Sequence, residues 1–71
     1  MMLTQLKPNE LAKIVAIEGG HGLRQKLALR GIVEGVFVRL ISSHGPITIE
    51  VDRNVVCIGR GMARRIMVER M

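Results

Sequence analysis

Two segments in the second half of the chain alternate apolar and polar side chains. Over residues 47–51 the apolar positions are Ile47, Ile49 and Val51, and residues 36–42 show the same period of two. Successive side chains of a strand point to opposite faces, so this pattern is typical of a strand with one face on the core. The sequence therefore predicts two half-buried strands, with Ile47, Ile49 and Val51 buried.

Three further apolar runs complete the expected set of strands. Residues 11–18 are rich in β-branched side chains and apolar on both faces, which favours a strand covered on each side. Residues 55–58 and 66–68 are shorter runs bounded by turn signals. Residues 3–8 are expected to be extended, and residues 62–65 are long enough for a single helical turn. The whole pattern predicts a mainly β fold, a small curved barrel of five strands.

One segment departs from the strand pattern, and the rest of the chain is arranged around it. Residues 23–30 follow a glycine-rich stretch and predict one short α-helix, with Leu23 and Leu27 on the face that packs against the sheet. Glycine adopts positive φ without the penalty that other residues meet, so glycines should shape the tight turns. The residues assigned to this structural role are Gly31, Gly35, Gly45 and Pro46.

Length and composition limit the protein to a small intracellular domain. The 71 residues leave room for one domain over 1–71, with a small core. A single cysteine, Cys57, excludes an internal disulfide and is expected to be a small core thiol. No apolar stretch is long enough for a membrane span, and the N-terminus lacks the features of a signal peptide. We therefore expect a soluble cytoplasmic protein.

The charge is basic, which leaves several classes of partner open. Eight arginines and three lysines against six carboxylates give a net charge of +5, which suits nucleic acid, an anionic surface or an acidic protein, or only solubility. Phe37 is the one aromatic residue, and single-stranded nucleic acid is usually bound by stacking on aromatic side chains. Nucleic acid is therefore not expected, although an RNA-binding barrel of the Sm type remains the alternative argued from charge.

Catalytic or metal-binding chemistry is not indicated. His21, His44 and Cys57 lie in three separate segments without the paired spacing of a zinc site, and no third group completes a nucleophile pair. The six carboxylates are dispersed. We expect no enzyme activity, no bound metal and no cofactor.

The end of the predicted helix is the best candidate for a contact with a partner. Leu29 points well away from the face of Leu23 and Leu27, and it stands next to a basic residue. An exposed leucine beside a positive charge is a reasonable contact for another protein. The residues assigned to this hypothetical partner-binding surface are Arg24, Lys26, Leu29 and Arg30.

Four short motifs, in order and at matching spacings, resemble the ferrous iron transport protein A (FeoA) family over nearly the whole chain. They are Leu23-Arg24-Gln25-Lys26-Leu27, Gly31-Ile32-x-x-Gly35, Gly45-Pro46-Ile47-x-Ile49-x-Val51 and Met62-Ala63-x-x-Ile66-x-Val68. The resemblance implies an SH3-like barrel. It also implies a cytoplasmic accessory protein of ferrous iron uptake that acts on the cytosolic GTPase-bearing region of the membrane transporter FeoB.

Two departures from the family pattern lie near the predicted partner surface. Arg30 stands where the family often has an apolar residue, and Glu34 stands where it often has a proline. FeoA-like domains also follow a winged-helix domain in metal-dependent transcription regulators. Because this chain begins at Met1 without such a domain, we expect the free-standing type. The oligomeric state is not fixed by these patterns, and a homo-oligomer stays open.

Overall fold

The computed structural model describes all 71 residues and contains five strands, two short α-helices and one 3₁₀ helix. The strands are β1 (Leu11–Ile17), β2 (Phe37–Ser42), β3 (Ile47–Val51), β4 (Asn54–Ile58) and β5 (Ile66–Arg70). The helices are α1 (His21–Ala28), α2 (Arg60–Ala63) and the 3₁₀ helix Leu3–Gln5. The prediction of a mainly β fold with five strands is confirmed, and α2 accompanies the expected helix.

All five strands belong to one antiparallel sheet in the order β4-β3-β2-β1-β5. Strands β2, β3 and β4 follow one another as hairpins, whereas β5 returns to pair with β1 at the other side. The first and last strands are therefore neighbours, and β4 and β5 form the two edges of the sheet. Helix α1 lies in the connection between β1 and β2.

The core is entirely apolar and is built from the alternate positions of every strand. Sixteen buried residues form a single cluster, and none of them is polar or charged. As predicted, Ile47, Ile49 and Val51 of β3 are all buried, and Val38 and Leu40 of β2 face the same cluster. The remaining buried residues are Leu3, Leu6, Ala12, Ile14, Ile17, Leu27, Ile32, Ile58, Ala63, Ile66 and Val68.

Strand β1 is not covered on both faces, so that prediction is wrong. Ala12 and Ile14 are buried, but the apolar residues on either side of them, Leu11 and Val15, are exposed. A bulge between residues 14 and 16 shifts the pairing with β5, so that Ile17 returns to the core. A bulge adds one residue to one strand and thereby interrupts the alternation. The apolar residues on the outer face of β1 had suggested a cover that the sheet does not have.

Cys57 and the N-terminal segment also differ from the prediction. The thiol of Cys57 is exposed on the outer face of β4, with Sγ 3.5 Å from Thr48 Oγ1, and is not in the core. Residues 3–5 form a 3₁₀ turn rather than an extended segment, and Leu3 and Leu6 are buried. The short helix α2 occupies residues 60–63, two residues earlier than expected, because it starts directly after Gly59 at its N-cap.

Candidate partner-binding surface

The C-terminal end of α1 closes in a Schellman motif around Gly31. The N–H of Ile32 donates to the Leu27 carbonyl at 2.9 Å, and the N–H of Gly31 donates to the Ala28 carbonyl at 2.9 Å. Gly31 has φ +79°, the left-handed conformation this motif requires. Leu27 and Ile32 are both fully buried and provide the hydrophobic contact that accompanies the motif. Regular helical geometry is thus assigned to His21–Ala28, whereas the sequence predicted residues 23–30.

Leu29 is held in solvent by the same motif. It lies two residues beyond the buried Leu27, which is roughly 200° around the helix. Its side chain is 89% exposed, more than any other large apolar side chain in the structure. The Leu29 N–H is bonded to the Gln25 carbonyl at 3.1 Å, so the backbone that carries this leucine is ordered by the helix. Arg30 beside it is also exposed.

A shallow groove separates Leu29 and Arg30 from the hairpin that joins β3 and β4. The groove is lined by Leu29, Arg30, Gly31, Val51, Asp52, Asn54 and Val56. The hairpin turn has two residues, Asp52 and Arg53, with φ of +50° and +69°. Positive φ at both central residues is the feature of a type I′ turn, whose twist matches that of the flanking strands. The turn therefore places Asp52 on the groove that Leu29 also lines.

Phe37 lies on the other side of the same turn. A second groove, lined by Gly31, Val36, Phe37, Val51 and Asp52, shares three residues with the first. The only aromatic side chain of the protein is 53% exposed there. The two grooves together make a surface that runs from Leu29 across Gly31 and Asp52 to Phe37. We call it the Leu29–Phe37 surface.

Arg24 and Lys26, which the sequence assigned to the same partner surface, lie elsewhere. The Arg24 guanidinium donates to the Ile17 carbonyl at 2.6 Å and pairs with Glu34 at 2.7 Å. It thus ties the end of β1 and the turn after α1 to the helix. Arg24 borders a separate groove on the other flank of α1, and Lys26 is exposed without lining any of the grooves. Of the four residues assigned, only Leu29 and Arg30 share one surface.

The other turn residues named from the sequence also have clear positions. Gly35 has φ +96° before β2, and Gly45 has φ +71° in the turn between β2 and β3. Pro46 follows Gly45 and leads directly into β3, and all peptide bonds are trans. A side chain at Gly35 or Gly45 would meet no neighbouring atom within 4 Å, so the backbone conformation alone favours glycine at both positions.

The two histidines and the cysteine considered as metal ligands lie in separate parts of the fold. No group of three or more His, Cys, Asp and Glu side chains is close enough together to bind a metal ion. His21 starts α1, His44 lies in the turn after β2, and Cys57 lies on β4. Neither α1 nor α2 has the length and apolar character needed to cross a membrane.

The part of the surface contributed by the hairpin was missed in the sequence. Turn signals were predicted on either side of residues 55–58, but the sequence could not show that Asp52 and Asn54 line a groove with Leu29. Phe37 entered the sequence analysis only as the single aromatic residue, and it was not assigned to the partner surface. The available signal was weak: a charged two-residue turn between two short apolar runs, and an aromatic residue directly after the Gly35 turn.

Comparison with known proteins agrees with this architecture. The family model described as the FeoA domain matches residues 1–70. The chain belongs to the FeoA domain family. It is 36% identical over 64 residues to a Methanocaldococcus jannaschii protein named as a candidate Fe(2+) transport protein A, covering 89% of this chain and 78% of that protein.

Solved structures confirm the SH3-like barrel. A crystal structure of an iron uptake regulatory protein (FeoA) is similar with a TM-score of 0.91 and 38% identity, covering 97% of this chain and 93% of that one. A manganese-dependent transcriptional repressor contains the same fold, with a TM-score of 0.92 and 18% identity over 36% of its length. The FeoA fold is therefore shared by free proteins and by one part of a larger regulator.

Proposed function

We propose that this chain is a cytoplasmic accessory protein of ferrous iron uptake, and that it binds the cytosolic GTPase-bearing region of a FeoB-type membrane transporter. Membership of the FeoA family and similarity to a candidate Fe(2+) transport protein support the link to iron transport. The observation that carries the proposal is Leu29, 89% exposed on an ordered helix end.

The Leu29–Phe37 surface has the composition of a contact site for another protein. Its apolar members are Leu29, Phe37 and Val56, and charged groups from Arg30 and Asp52 lie between them. Apolar side chains exposed in one neighbourhood and surrounded by charge are common at protein interfaces. A rigid leucine that enters a pocket of the partner would contribute most of the binding energy, as central interface residues usually do. Arg24 would act only by holding α1 in position.

The test is pull-down of the transporter's cytosolic domain by wild-type protein and single variants. Leu29→Ala should weaken capture by roughly tenfold or more, because truncation of a central interface residue costs at least about 1–2 kcal/mol. Ile41→Ala is the matched control, since Ile41 is an exposed apolar residue on β2 that lines neither groove and lies four residues, about 13 Å, along the strand from Phe37. If Leu29→Ala and Ile41→Ala are captured as well as the wild type, the proposed contact is wrong.

A salt titration distinguishes this function from RNA binding through the basic charge. Contact with phosphates weakens steeply with salt because counterions are released on binding. An interface centred on leucine should lose much less affinity between about 50 and 200 mM salt. RNA captured by the protein at low salt and released over this range, with no capture of the transporter domain, would favour the RNA-binding alternative.

A further inference from the structure

The two edges of the sheet are treated differently by the chain. The edge formed by β5 is covered, because the N–H of Val68 donates to the Met1 carbonyl at 2.7 Å and Met2 forms a bridge with Met67. No segment pairs with the free side of β4. An uncovered edge strand is a template for pairing with another strand. What can pair with β4 depends on which of its backbone N–H and C=O groups point to the free side.

The direction of the backbone groups in β4 follows from the hydrogen bonds of β2. The Leu40 N–H donates to the Glu10 carbonyl at 3.0 Å, and the Leu40 carbonyl accepts from the Asn9 N–H at 2.7 Å. Leu40 therefore directs its backbone groups away from β3. Backbone groups of successive residues in a strand point to opposite sides. The neighbouring Arg39 consequently faces β3, where it is paired with Glu50.

The same alternation continues through β3 to β4. Because Glu50 is directed toward β2, Ile49 is directed toward β4, where its partner is Val56. Val55 and Cys57, on either side of Val56, therefore direct their N–H and C=O groups away from the sheet. No turn, loop or cap hydrogen bond uses either residue. The edge thus presents two complete pairs of unused backbone donors and acceptors.

The side chains along β4 do not prevent its edge from pairing with another strand. Val55 is 63% exposed and Cys57 is also exposed, and residues 54–59 carry no charge and no proline. Natural edge strands commonly carry lysine, proline or a bulge that prevents pairing with another chain. Here the protein has a net charge of +5, and yet its uncovered edge is uncharged.

We propose that β4 pairs antiparallel with β4 of a second copy of this chain, about a two-fold axis at Val56. This register places Val55 opposite Cys57 of the second copy, and the two residues exchange hydrogen bonds through both backbone groups, as does the symmetric pair. It is the register that uses every free group at Val55 and Cys57 in both copies. The result is one continuous sheet across the dimer.

The composition of the edge supports a second copy as the occupant. Strand β4 of a second copy offers the same two pairs of free backbone groups and the same uncharged side chains. Beyond the strand ends, the turn with Asp52 and Arg53 lies at the same end as Arg60 of the second copy, so the Asp52 carboxylate offsets part of the arginine charge there. Two copies with the same net positive charge repel each other in general. The uncharged residues 54–59 keep that repulsion small where the two strands meet.

The oligomeric state of the full chain tests the proposal. Sedimentation equilibrium should show a monomer–dimer equilibrium between roughly 10 µM and 1 mM, the range expected of a small interface. The double change Val55→Lys with Cys57→Lys should weaken dimerisation by about tenfold or more, because it places like charges opposite each other. Val15→Lys is the matched control on β1, a strand paired on both sides, and should leave the equilibrium unchanged.

A cross-link tests the register itself. Val56 lies on the proposed axis at a non-hydrogen-bonded pair, where Cα atoms are about 4.5 Å apart and a disulfide can form. Val56→Cys in a Cys57→Ser background should therefore give a covalent dimer under mild oxidation. The wild-type protein should not, because its Cys57 faces Val55. The amides of Val55 and Cys57 should also exchange more slowly as protein concentration rises, and circular dichroism should show each variant folded.

A wild type that stays monomeric up to 1 mM would overturn the proposal. A dimer unaffected by the two lysines, or cross-linked through Cys57 rather than residue 56, would also overturn it. These results are separable from those for the proposed function. Val56 lines the groove beside Leu29 and also lies on the proposed axis, so the separating variants leave it unchanged. Leu29→Ala should lose the transporter domain but keep the dimer. The lysine variant is changed only at Val55 and Cys57, which line no groove, and should lose the dimer but still capture the transporter domain. Loss of the transporter contact would not contradict the dimer, and absence of the dimer would not contradict the transporter contact.

Discussion

Gly31 shows how a single residue decides the end of α1. It has φ +79° in a Schellman motif, and a Cβ atom there would lie 3.9 Å from Val51 Cγ1, an ordinary contact. Substitution is therefore opposed by backbone conformation rather than by lack of space. Gly31→Val should reduce the free energy of unfolding by about 1–3 kcal/mol, because β-branched residues are costly in this region. Thermal and urea melts measure the loss, and unchanged stability would contradict the account.

Leu29 provides the contrasting prediction at the same helix end. With 89% of its side chain exposed, Leu29→Ala should cost far less than the roughly 2–5 kcal/mol of a buried leucine. Leu27→Ala, two residues earlier and fully buried, should show that larger loss. The three melts can be compared directly. A Leu29→Ala protein that melts as early as Gly31→Val would mean that Leu29 stabilises the fold and is not reserved for a partner.

Glu10 predicts how stability depends on pH. The Lys7 backbone N–H donates to its carboxylate at 2.6 Å, and with Arg70 at 2.7 Å it lowers the pKa of Glu10 below the ordinary 4.5. A lowered pKa in the folded state stabilises the protein above the unfolded pKa, and this stabilisation is lost as pH falls through the folded value. The melting temperature of the wild type should therefore exceed that of Glu10→Gln at pH 7, and the difference should shrink as the pH falls below the ordinary pKa of 4.5.

Arg70→Gln is the control for this pH effect. The Lys7 hydrogen bond is the largest cause of the lowered pKa and remains in that variant. The acid-sensitive difference between Arg70→Gln and wild type should accordingly be smaller than that between Glu10→Gln and wild type. A difference that is constant from pH 7 to pH 3 for both variants would show that Glu10 does not contribute through its charge.

At the scale of elements, the β3–β4 hairpin is held by a turn that its sequence does not favour. Arg53 has φ +69°, a conformation that costs an L-residue about 1–2 kcal/mol and that Asn-Gly or Asp-Gly turns avoid. Arg53→Gly should therefore stabilise the protein by about 0.5–1 kcal/mol, after the greater chain entropy of glycine is counted. Chemical denaturation measures the change. A destabilised Arg53→Gly would mean that Arg53 makes a compensating contact.

Features that follow from the local sequence could be predicted, whereas features that depend on the pairing of distant strands could not. Strand β3 alternates cleanly, and its three apolar positions are all buried as the pattern indicated. Strand β1 misled the prediction because a bulge against β5 and an apolar outer face are invisible in local sequence. Cys57 was misplaced for a similar reason. Its neighbours on β4 are apolar, and only the register with β3 shows that it lies on the outer face.

At the scale of the whole molecule, the N-terminal segment completes the core. Leu3 in the 3₁₀ turn is fully buried, and this turn contacts both α2 and β5. Leu3→Ala should cost about 2–5 kcal/mol, a large share of the stability of so small a domain. Lys7→Ala, on an exposed side chain nearby, should cost little. Equal melting temperatures for wild type and Leu3→Ala would show that the segment is not needed for closure of the core.

Only part of the candidate site could be predicted from the sequence, because its residues come from segments that are distant in the chain. Helical spacing identified Leu29 as a residue pointing away from the core, and Arg30 as its neighbour. Spacing could not show that Arg24 is bonded to the Ile17 carbonyl and Glu34. Nor could it bring Phe37 to the same surface, since that contact depends on the register between β2 and β3. Residues of one surface come from segments whose relative positions only the fold determines.

The most direct measurement of the central proposal maps the contact with the transporter. Addition of the purified cytosolic GTPase-bearing domain to isotope-labelled protein should broaden or shift backbone amide signals at Leu29–Gly31, Phe37 and Asp52–Asn54. The signal of Ile41, four residues along β2 from Phe37, should stay unchanged, and Leu29→Ala should abolish the changes. Changes confined to the β1 face, or equal changes with Leu29→Ala, would contradict the assignment of this surface.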